Sequence, residues 1–137
     1  MAMAQIEKLR RFINTNKALA DVPFGIVQGR AITPREALEK LRLGLSLEEV
    51  AMALKQAGLD PEPQDWVLIE AYYRKLLELP GPKPSIYVIS EGAVVGKQIT
   101  LENALMHVRR RDDTGRGLLK SYQGLLGEMG QRMNKYA

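Results

Sequence analysis

The chain has 137 residues, of which 45% are hydrophobic and 26% are charged, and its formal net charge is +4. A chain of this length and composition suits one folded domain and not a disordered segment. It contains no cysteine, which excludes disulfides, thiolate metal sites and cysteine nucleophiles. No apolar run approaches the length of a membrane span, and the N-terminus lacks the pattern of a secretory signal, so we expect an intracellular protein.

The charge is unevenly distributed along the chain. Residues 1–30 carry five basic and two acidic side chains, residues 31–106 carry eight and eleven, and residues 107–137 carry seven and three. The two ends are therefore basic and the middle is acidic. This polarity is typical of terminal regions that hold a polyanion, or of head-to-tail contact between copies of a protein. An uneven, solvated surface is the alternative interpretation.

The first elements are an amphipathic helix, an extended segment and a capped helix. Residues 2–17 place apolar side chains on one face and basic side chains on the other. Residues 21–32 contain proline and two glycines and are predicted to be extended or irregular. Thr33 then stands at the N-cap position of a short helix, which ends before Gly44.

Two further helices precede a proline-rich connector. Ser46 and Glu49 form a capping-box pattern at the start of the first, predicted over residues 46–57. The second, over residues 64–79, is strongly apolar and has aromatic side chains at helical spacing, a pattern typical of a core. Residues 80–84, PGPKP, form a stiff connector and are predicted to be the boundary between two halves.

The extended segment and the helix that follows it occur twice. Residues 22–44 align without a gap with residues 89–111, at a spacing of 67 positions (89 − 22). Each copy predicts an extended segment or β-hairpin that leads into a short helix capped by threonine. Residues 68–79 and 118–129 continue the match loosely, or share only an amphipathic pattern. The identical pairs are Gly25 with Gly92, Val27 with Val94, Gly29 with Gly96, Ile32 with Ile99, Thr33 with Thr100, Ala37 with Ala104, Leu38 with Leu105 and Arg42 with Arg109.

The last predicted helix covers residues 117–136 and contains glycines on a smooth face. Gly117, Ser121 and Gly124 share this face. Glycine inside a helix costs about 1 kcal/mol relative to alanine. We therefore expect a close approach to this face, by a neighbouring helix or by a phosphate backbone.

Together these elements predict a mainly α fold. We expect a bundle of five to six helices with two short repeated extended segments, each with the pattern of a β-hairpin. The chain is predicted to be one domain, residues 1–137. Within it, residues 1–19 form a basic N-terminal helical arm, and residues 20–79 and 85–137 form the two repeated halves.

Patterns for catalysis or metal binding are weak. His107 is the only histidine, and no second ligand-type residue lies at metal-binding spacing from it. Residues 92–98, GAVVGKQ, resemble a phosphate-binding loop, but they have three residues instead of four between the glycines and Gln98 in place of serine or threonine. Without a nucleophile–base pair or a dinucleotide fingerprint, we expect a protein that is not an enzyme and that holds no cofactor or metal.

Basic side chains are the main candidates for a binding function. Lysine and arginine bind phosphates without reading the base sequence. We therefore predict a structural protein that binds and packages nucleic acid, in particular double-stranded DNA, and that assembles with itself or a related subunit. The predicted contact residues are Lys8, Arg10, Arg11, Lys17, Arg30, Lys97, Arg109, Arg110, Arg111, Arg116 and Lys120, with Arg132 and Lys135 as further basic residues near the end of the chain.

In layout the chain resembles the coat proteins of filamentous double-stranded-DNA viruses of archaea. Those subunits are small, mostly helical and poor in cysteine, and a basic N-terminal helical arm wraps the genome. The resemblance implies that residues 1–17 form this arm and that the glycine-rich C-terminal helix packs between subunits. It also implies that the protein is part of a virion.

Two other functions stay open. Residues 33–58 resemble a helix-turn-helix unit, which would make the protein a sequence-specific regulator of DNA. Glu48 and Glu49 oppose this reading, since they would stand at the start of the recognition helix and face phosphates. In the third hypothesis the two repeats form a pseudo-symmetric surface of a protein–protein adaptor with no nucleic-acid role.

Overall fold

The computed structural model describes residues 2–45, 47–56 and 62–135, and these form a mainly helical fold. Within the described ranges, no helix is both long enough and apolar enough to cross a bilayer. The prediction of a mainly α fold with five to six helices and two short extended segments is confirmed, since the described residues form six α-helices and two hairpins. The elements of the described residues are α1 (Ala2–Thr15), a 3-10 turn (Lys17–Leu19), β1 (Gly25–Val27), β2 (Arg30–Ile32), α2 (Pro34–Arg42), α3 (Leu47–Gln56), α4 (Glu62–Glu78), β3 (Ile86–Val88), β4 (Lys97–Ile99), α5 (Leu101–Arg110) and α6 (Asp113–Asn134).

Threonine caps begin the two repeated helices, as predicted. The Thr33 hydroxyl accepts a hydrogen bond from the backbone N–H of Glu36 at 3.2 Å, and the Glu36 carboxylate accepts one from the N–H of Thr33 at 2.9 Å. The Thr100 hydroxyl accepts from the N–H of Asn103 at 3.1 Å. Each cap satisfies backbone donors that a helix start leaves without partners. The predicted Ser46 cap of α3 lies outside the described residues.

The packing divides the chain into two copies of one unit, a helix, a hairpin and two further helices. The first copy is α1–β1–β2–α2–α3 and the second is α4–β3–β4–α5–α6. In each copy the first helix packs along the helix after the hairpin, α1 on α2 and α4 on α5, and the last helix contacts the first strand. The boundary between the copies therefore falls, along the chain, between α3 and α4, and residues 80–84 lie inside the second copy. This division differs from the predicted halves, 20–79 and 85–137, because α4 packs with the elements that follow it.

The gapless alignment of the two hairpins holds only from the second strand onward. Val27 pairs with Arg30 in the first hairpin, and Val88 pairs with Lys97 in the second. Because Arg30 and Lys97 are equivalent, Val88 and not Val94 is the structural counterpart of Val27. Both are buried, with 1% and 2% of their surface exposed. Two residues join β1 to β2 and eight join β3 to β4, so the second hairpin has six extra residues (8 − 2).

The N-terminal helix belongs to the core. Leu9 and Phe12 are completely buried and Ile13 is nearly so. The end of α1 is also tied to α6, since Arg132 Nη1 donates to Asn16 Oδ1 at 2.7 Å. The predicted arm is therefore not detached from the body. Its apolar face is too large to leave in water, because full burial of one leucine or phenylalanine side chain contributes about 1.5–3 kcal/mol.

The start of α6 lies against the loop that follows β3. A Cβ added at Gly117 would lie 2.0 Å from the carbonyl oxygen of Ile89. The predicted close approach thus occurs at Gly117, but the approaching group is a loop and not a helix. Gly124 is exposed, and a Cβ there would meet nothing within 4 Å in the described part of the chain.

This contrast predicts opposite effects for two alanine substitutions in the same helix. Gly117→Ala is expected to lower the free energy of unfolding by about 1–3 kcal/mol, because the methyl group displaces backbone. Gly124→Ala is expected to raise it by up to about 1 kcal/mol, because alanine favours the helix and has free space. Urea unfolding followed by circular dichroism measures both. Equal effects of the two variants would contradict the close contact at Gly117.

Candidate functional site

The predicted contact residues lie in three groups on different elements. The first group is at the N-terminal end of the chain, the second is on the hairpins, and the third surrounds the junction of α5 and α6. We call the third group the basic corner. The groups are Lys8, Arg10, Arg11 and Lys17 on α1 and the turn after it; Arg30 and Lys97 at the starts of β2 and β4; and Arg109, Arg110, Arg111, Arg116 and Lys120 in the basic corner.

The α1 group is partly neutralised by an acid of the same helix. Arg10 Nη1 and Arg11 Nε each lie 3.2 Å from a carboxylate oxygen of Glu7. Partial burial lowers the pKa of Lys8, because desolvation disfavours its charged form. Exposed pairs of this kind are worth about 0.5 kcal/mol or less. They weaken the attraction of α1 for a polyanion without abolishing it.

A shallow groove between α1 and α2 adds two arginines that the sequence analysis did not select. Arg10 lines this groove of about 240 Å³ together with Arg35 and Arg42 of α2, and Glu39 is the acid among its lining residues. Arg35 is itself paired with Asp21 at 3.1 Å. The seven-residue spacing of Arg35 and Arg42 puts them on one helix face. This spacing is the feature of the sequence that could have identified them.

The basic corner is built by an abrupt reversal of the chain. Arg111 has a left-handed backbone conformation (φ 53°) that ends α5. Asp112 then caps α6, since its Oδ1 accepts from the N–H of Gly115 at 2.8 Å. A Cβ at Gly115 would lie 2.2 Å from the carbonyl oxygen of His107. Only glycine permits α6 to begin so close to α5, and the two helices hold their basic residues side by side.

Two arginines of the corner are fixed by α4. Arg109 Nε donates to the Glu70 carboxylate at 3.0 Å. The Arg111 guanidinium lies over the Trp66 ring, 5.3 Å from its centroid, a favourable cation–π arrangement. These two contacts attach the corner to α4.

Two other cations of the corner stay available. Arg110 and Lys120 are exposed, and neither forms an ion pair with an acid in residues 2–45, 47–56 or 62–135. Arg116 is exposed one turn before Lys120 on the same face of α6. The corner thus presents cations from both helices to solvent.

The acid that follows these arginines organises the junction of the two helices. Asp112 Oδ2 lies 2.7 Å from His107 Nδ1. Desolvation opposes ionisation of Asp112, but the hydrogen bonds from His107 and from the Gly115 N–H, together with the nearby charges of His107 and Arg110, outweigh it and lower the pKa of this carboxyl group. Asp112 is an N-cap that organises the corner, and its charge partly offsets that of Arg110.

The basic residues of the two hairpins begin strands and do not lie in a phosphate-binding loop of the usual form. Gly92 and Gly96 lie in the exposed segment between β3 and β4, and Lys97 begins β4. A phosphate-binding loop leads straight into a helix start, whereas here a strand intervenes. This geometry argues against phosphate binding by residues 92–98.

A groove lies along the second half of α4. It has a volume of about 530 Å³, and we call it the apolar groove because most of its wall is apolar. Burial raises the pKa of Tyr72, which lines it. Its lining residues are Ala18, Val22, Tyr72, Leu76 and Leu79, with Asp21, Lys75 and Glu78 as the charged members.

Neither metal chemistry nor a known relative identifies the site. In the part of the chain that the structure describes, no three acidic or histidine side chains are placed to hold a metal ion. No protein-family model, curated protein or solved structure matches this chain. The arguments about function below rest on the geometry and charge of the basic corner, the hairpins and the grooves.

The cap geometry predicts how Asp112 contributes to stability. Asp112→Ala is expected to lower the free energy of unfolding at pH 7 by about 1 kcal/mol, the usual cost of losing an N-cap. Because folding lowers the pKa of Asp112, its contribution is complete above the unfolded value of about 3.9 and is lost as the pH falls through the folded value.

Urea unfolding of both proteins at pH 7 and at acidic pH measures this difference. The gap between wild type and Asp112→Ala should narrow towards acidic pH. Asp113→Ala, the adjacent exposed acid, is the matched control and should change stability little. A gap that stays constant with pH would show that the Asp112 charge does not support the corner.

Proposed function

We propose that the protein binds nucleic acid through its phosphate backbone, with double-stranded DNA as the expected partner, and that it assembles with further copies of itself. The observation that supports this most is the basic corner, where a tight helix junction holds five cations from α5 and α6 together. Phosphate recognition requires positive side chains at fixed separations, and the corner supplies them on a rigid frame.

The local charge balance favours a polyanion. Five basic side chains meet four acidic ones, Asp112, Asp113, Glu70 and Glu102, which leaves a net charge of +1 (5 − 4). Asp112 is occupied by His107 and by the start of α6. Each phosphate that such a surface neutralises releases counterions, so binding is expected to weaken steeply with salt.

The available side chains favour contact with the backbone over reading of bases. Trp66 is 4% exposed under Arg111, and Tyr73 and Tyr122 are buried in the core. These three rings are not available for stacking on bases, whereas Tyr87 on β3 is 63% exposed. Burial raises the pKa of Tyr73 to about 12. Arginine and lysine at the corner position a phosphate chain but do not discriminate sequences.

A viral coat subunit is the most specific form of this proposal. In that role the protein would line a DNA genome and contact its neighbours along the polymer. The packed α1 changes one part of the expectation, since the surface for DNA would be the corner and not a wrapping N-terminal arm. The groove with Arg10, Arg35 and Arg42 would be a secondary contact.

The helix-turn-helix alternative has less support. The body of α3 is engaged by the first hairpin, where Ala53 Cβ lies 2.9 Å from the position of a Cβ at Gly25. At the start of α3, the Glu49 carboxylate accepts from the N–H of Gln28 at 2.8 Å, and Glu48 is exposed beside it. A recognition helix presents its N-terminal residues to the DNA, and two carboxylates there would repel it.

Substitutions at the corner test the proposal directly. Replacing Arg110 and Lys120 together with alanine is expected to weaken binding to a random-sequence duplex by roughly tenfold or more at low salt. The slope of log affinity against log salt should fall by about 2, since each lost phosphate contact accounts for about 1. Fluorescence anisotropy over a series of salt concentrations measures both quantities.

The control is the pair Arg10→Ala and Arg11→Ala, which removes the same charge from α1. A smaller loss is expected there, because Glu7 already competes for these arginines. If wild type shows no salt-sensitive binding, or if the two pairs weaken it equally, the corner is not the contact surface. A strong preference for one DNA sequence would favour the regulator instead.

A further inference from the structure

The loop between β3 and β4 is an addition that the first copy of the unit lacks. Residues 89–96 replace the two-residue turn of the first hairpin. Val94 is 95% exposed and Val95 is 79% exposed. Two adjacent valines in water are unusual, because burial of each would contribute about 1.5–3 kcal/mol. The loop therefore has the character of a docking element.

This loop is held firmly at its base. The N–H of Glu91 donates to the carbonyl oxygen of Asp113 at 2.9 Å, and the hydroxyls of Ser90 and Thr114 lie 2.7 Å apart. On the β3 side, the Tyr87 ring occupies the space beside Gly96. The start of α6 thus fixes the base, and the valines project at a defined place.

The apolar groove lies on the other half of α4 and offers a surface that fits the valines of the loop. The loop is anchored at Asp113, beside Arg111, which lies over Trp66 near the start of α4. The groove is lined by residues from the second half of that helix. The loop and the groove are therefore separate surfaces of one chain, and a volume of about 530 Å³ accommodates two valine side chains.

Charges around the two surfaces are also complementary. Lys97 follows the loop, and Glu78 lines the groove; neither forms an ion pair within the described residues. The other charged members of the groove are already paired, Asp21 with Arg35 and Lys75 with Glu36. Glu78 is thus the acid of the groove that is open to a lysine from outside.

We propose that Val94 and Val95 of one molecule insert into the apolar groove of a second copy of this chain. Because the two surfaces differ, the contact is head-to-tail and leaves a free loop at one end and a free groove at the other. Repetition produces a ring or a filament. The inference rests on the self-assembly part of the proposed function and is independent of the nucleic-acid part.

The test measures association of the full-length protein by sedimentation velocity without nucleic acid. The loop variant combines Val94→Asp and Val95→Asp, and the groove variant combines Ala18→Glu and Leu79→Glu. All four positions are exposed, so both variants should fold, which circular dichroism verifies. We expect wild type to form concentration-dependent oligomers. The association constant of each variant should be at least about tenfold lower. Met52→Asp, an exposed site on α3, should behave as wild type.

Mixing the two variants distinguishes a head-to-tail contact from any symmetric one. The groove variant keeps its valines and the loop variant keeps its groove. The mixture should therefore form a 1:1 dimer and nothing larger. The proposal is overturned if wild type stays monomeric up to about 1 mM, if the loop variant assembles as strongly as wild type, or if mixing restores no dimer.

The same variants separate the two proposals. On a duplex short enough for one subunit, the loop variant should bind as wild type does. The variant with Arg110→Ala and Lys120→Ala should still assemble without DNA. Loss of only one property would overturn only the corresponding proposal.

Discussion

The close seat of α6 against its neighbours is the constraint on which the candidate surfaces depend. At Gly115 the helix begins beside the carbonyl oxygen of His107, and at Gly117 it lies against the carbonyl oxygen of Ile89. Side chains at these positions would separate α5, α6 and the second hairpin. The contact therefore orients the basic corner and the exposed valine loop at once. A loss of packing here would disturb both surfaces even though neither glycine belongs to them.

The two copies of the duplicated unit differ in the segments that follow the capped helix and in the length of the hairpin loop. The hairpin and the capped helix have the same form in each, and Arg42 corresponds to Arg109. After this arginine the copies diverge: the first continues through Leu43 and Leu45 to the acidic start of α3, whereas the second continues through Arg110 and Arg111 to α6. The second hairpin also has six additional residues. The basic corner and the exposed valine loop thus belong to the second copy, whereas residues of both copies line the apolar groove.

Formal charge overstates what the protein offers to a polyanion. Glu7 holds two arginines of α1, and Glu70 holds Arg109. A phosphate displaces an exposed ion pair of this strength at a small cost in free energy. The pairs nevertheless make α1 a weaker candidate surface for a polyanion than the basic corner. Under the two proposals together, a head-to-tail polymer would place one basic corner per subunit at regular intervals along a nucleic acid. Once one subunit is bound, its linked neighbours would be at a high effective concentration near the nucleic acid. Many weak phosphate contacts would then add up to strong binding.

The amino-acid sequence by itself determined the elements that depend on nearby residues. The helices, the threonine caps, the duplication and the mainly α class follow from apolar periodicity and capping, which act over a few positions. Only the tertiary structure decided that Val88 pairs opposite Lys97, that α4 packs with the second copy, and that the apolar face of α1 packs into the core. It also decided which cations are held and which are open, because Glu70 is 39 positions from its arginine. Such pairings are set by how whole elements pack together, and local sequence patterns contain no information about that packing.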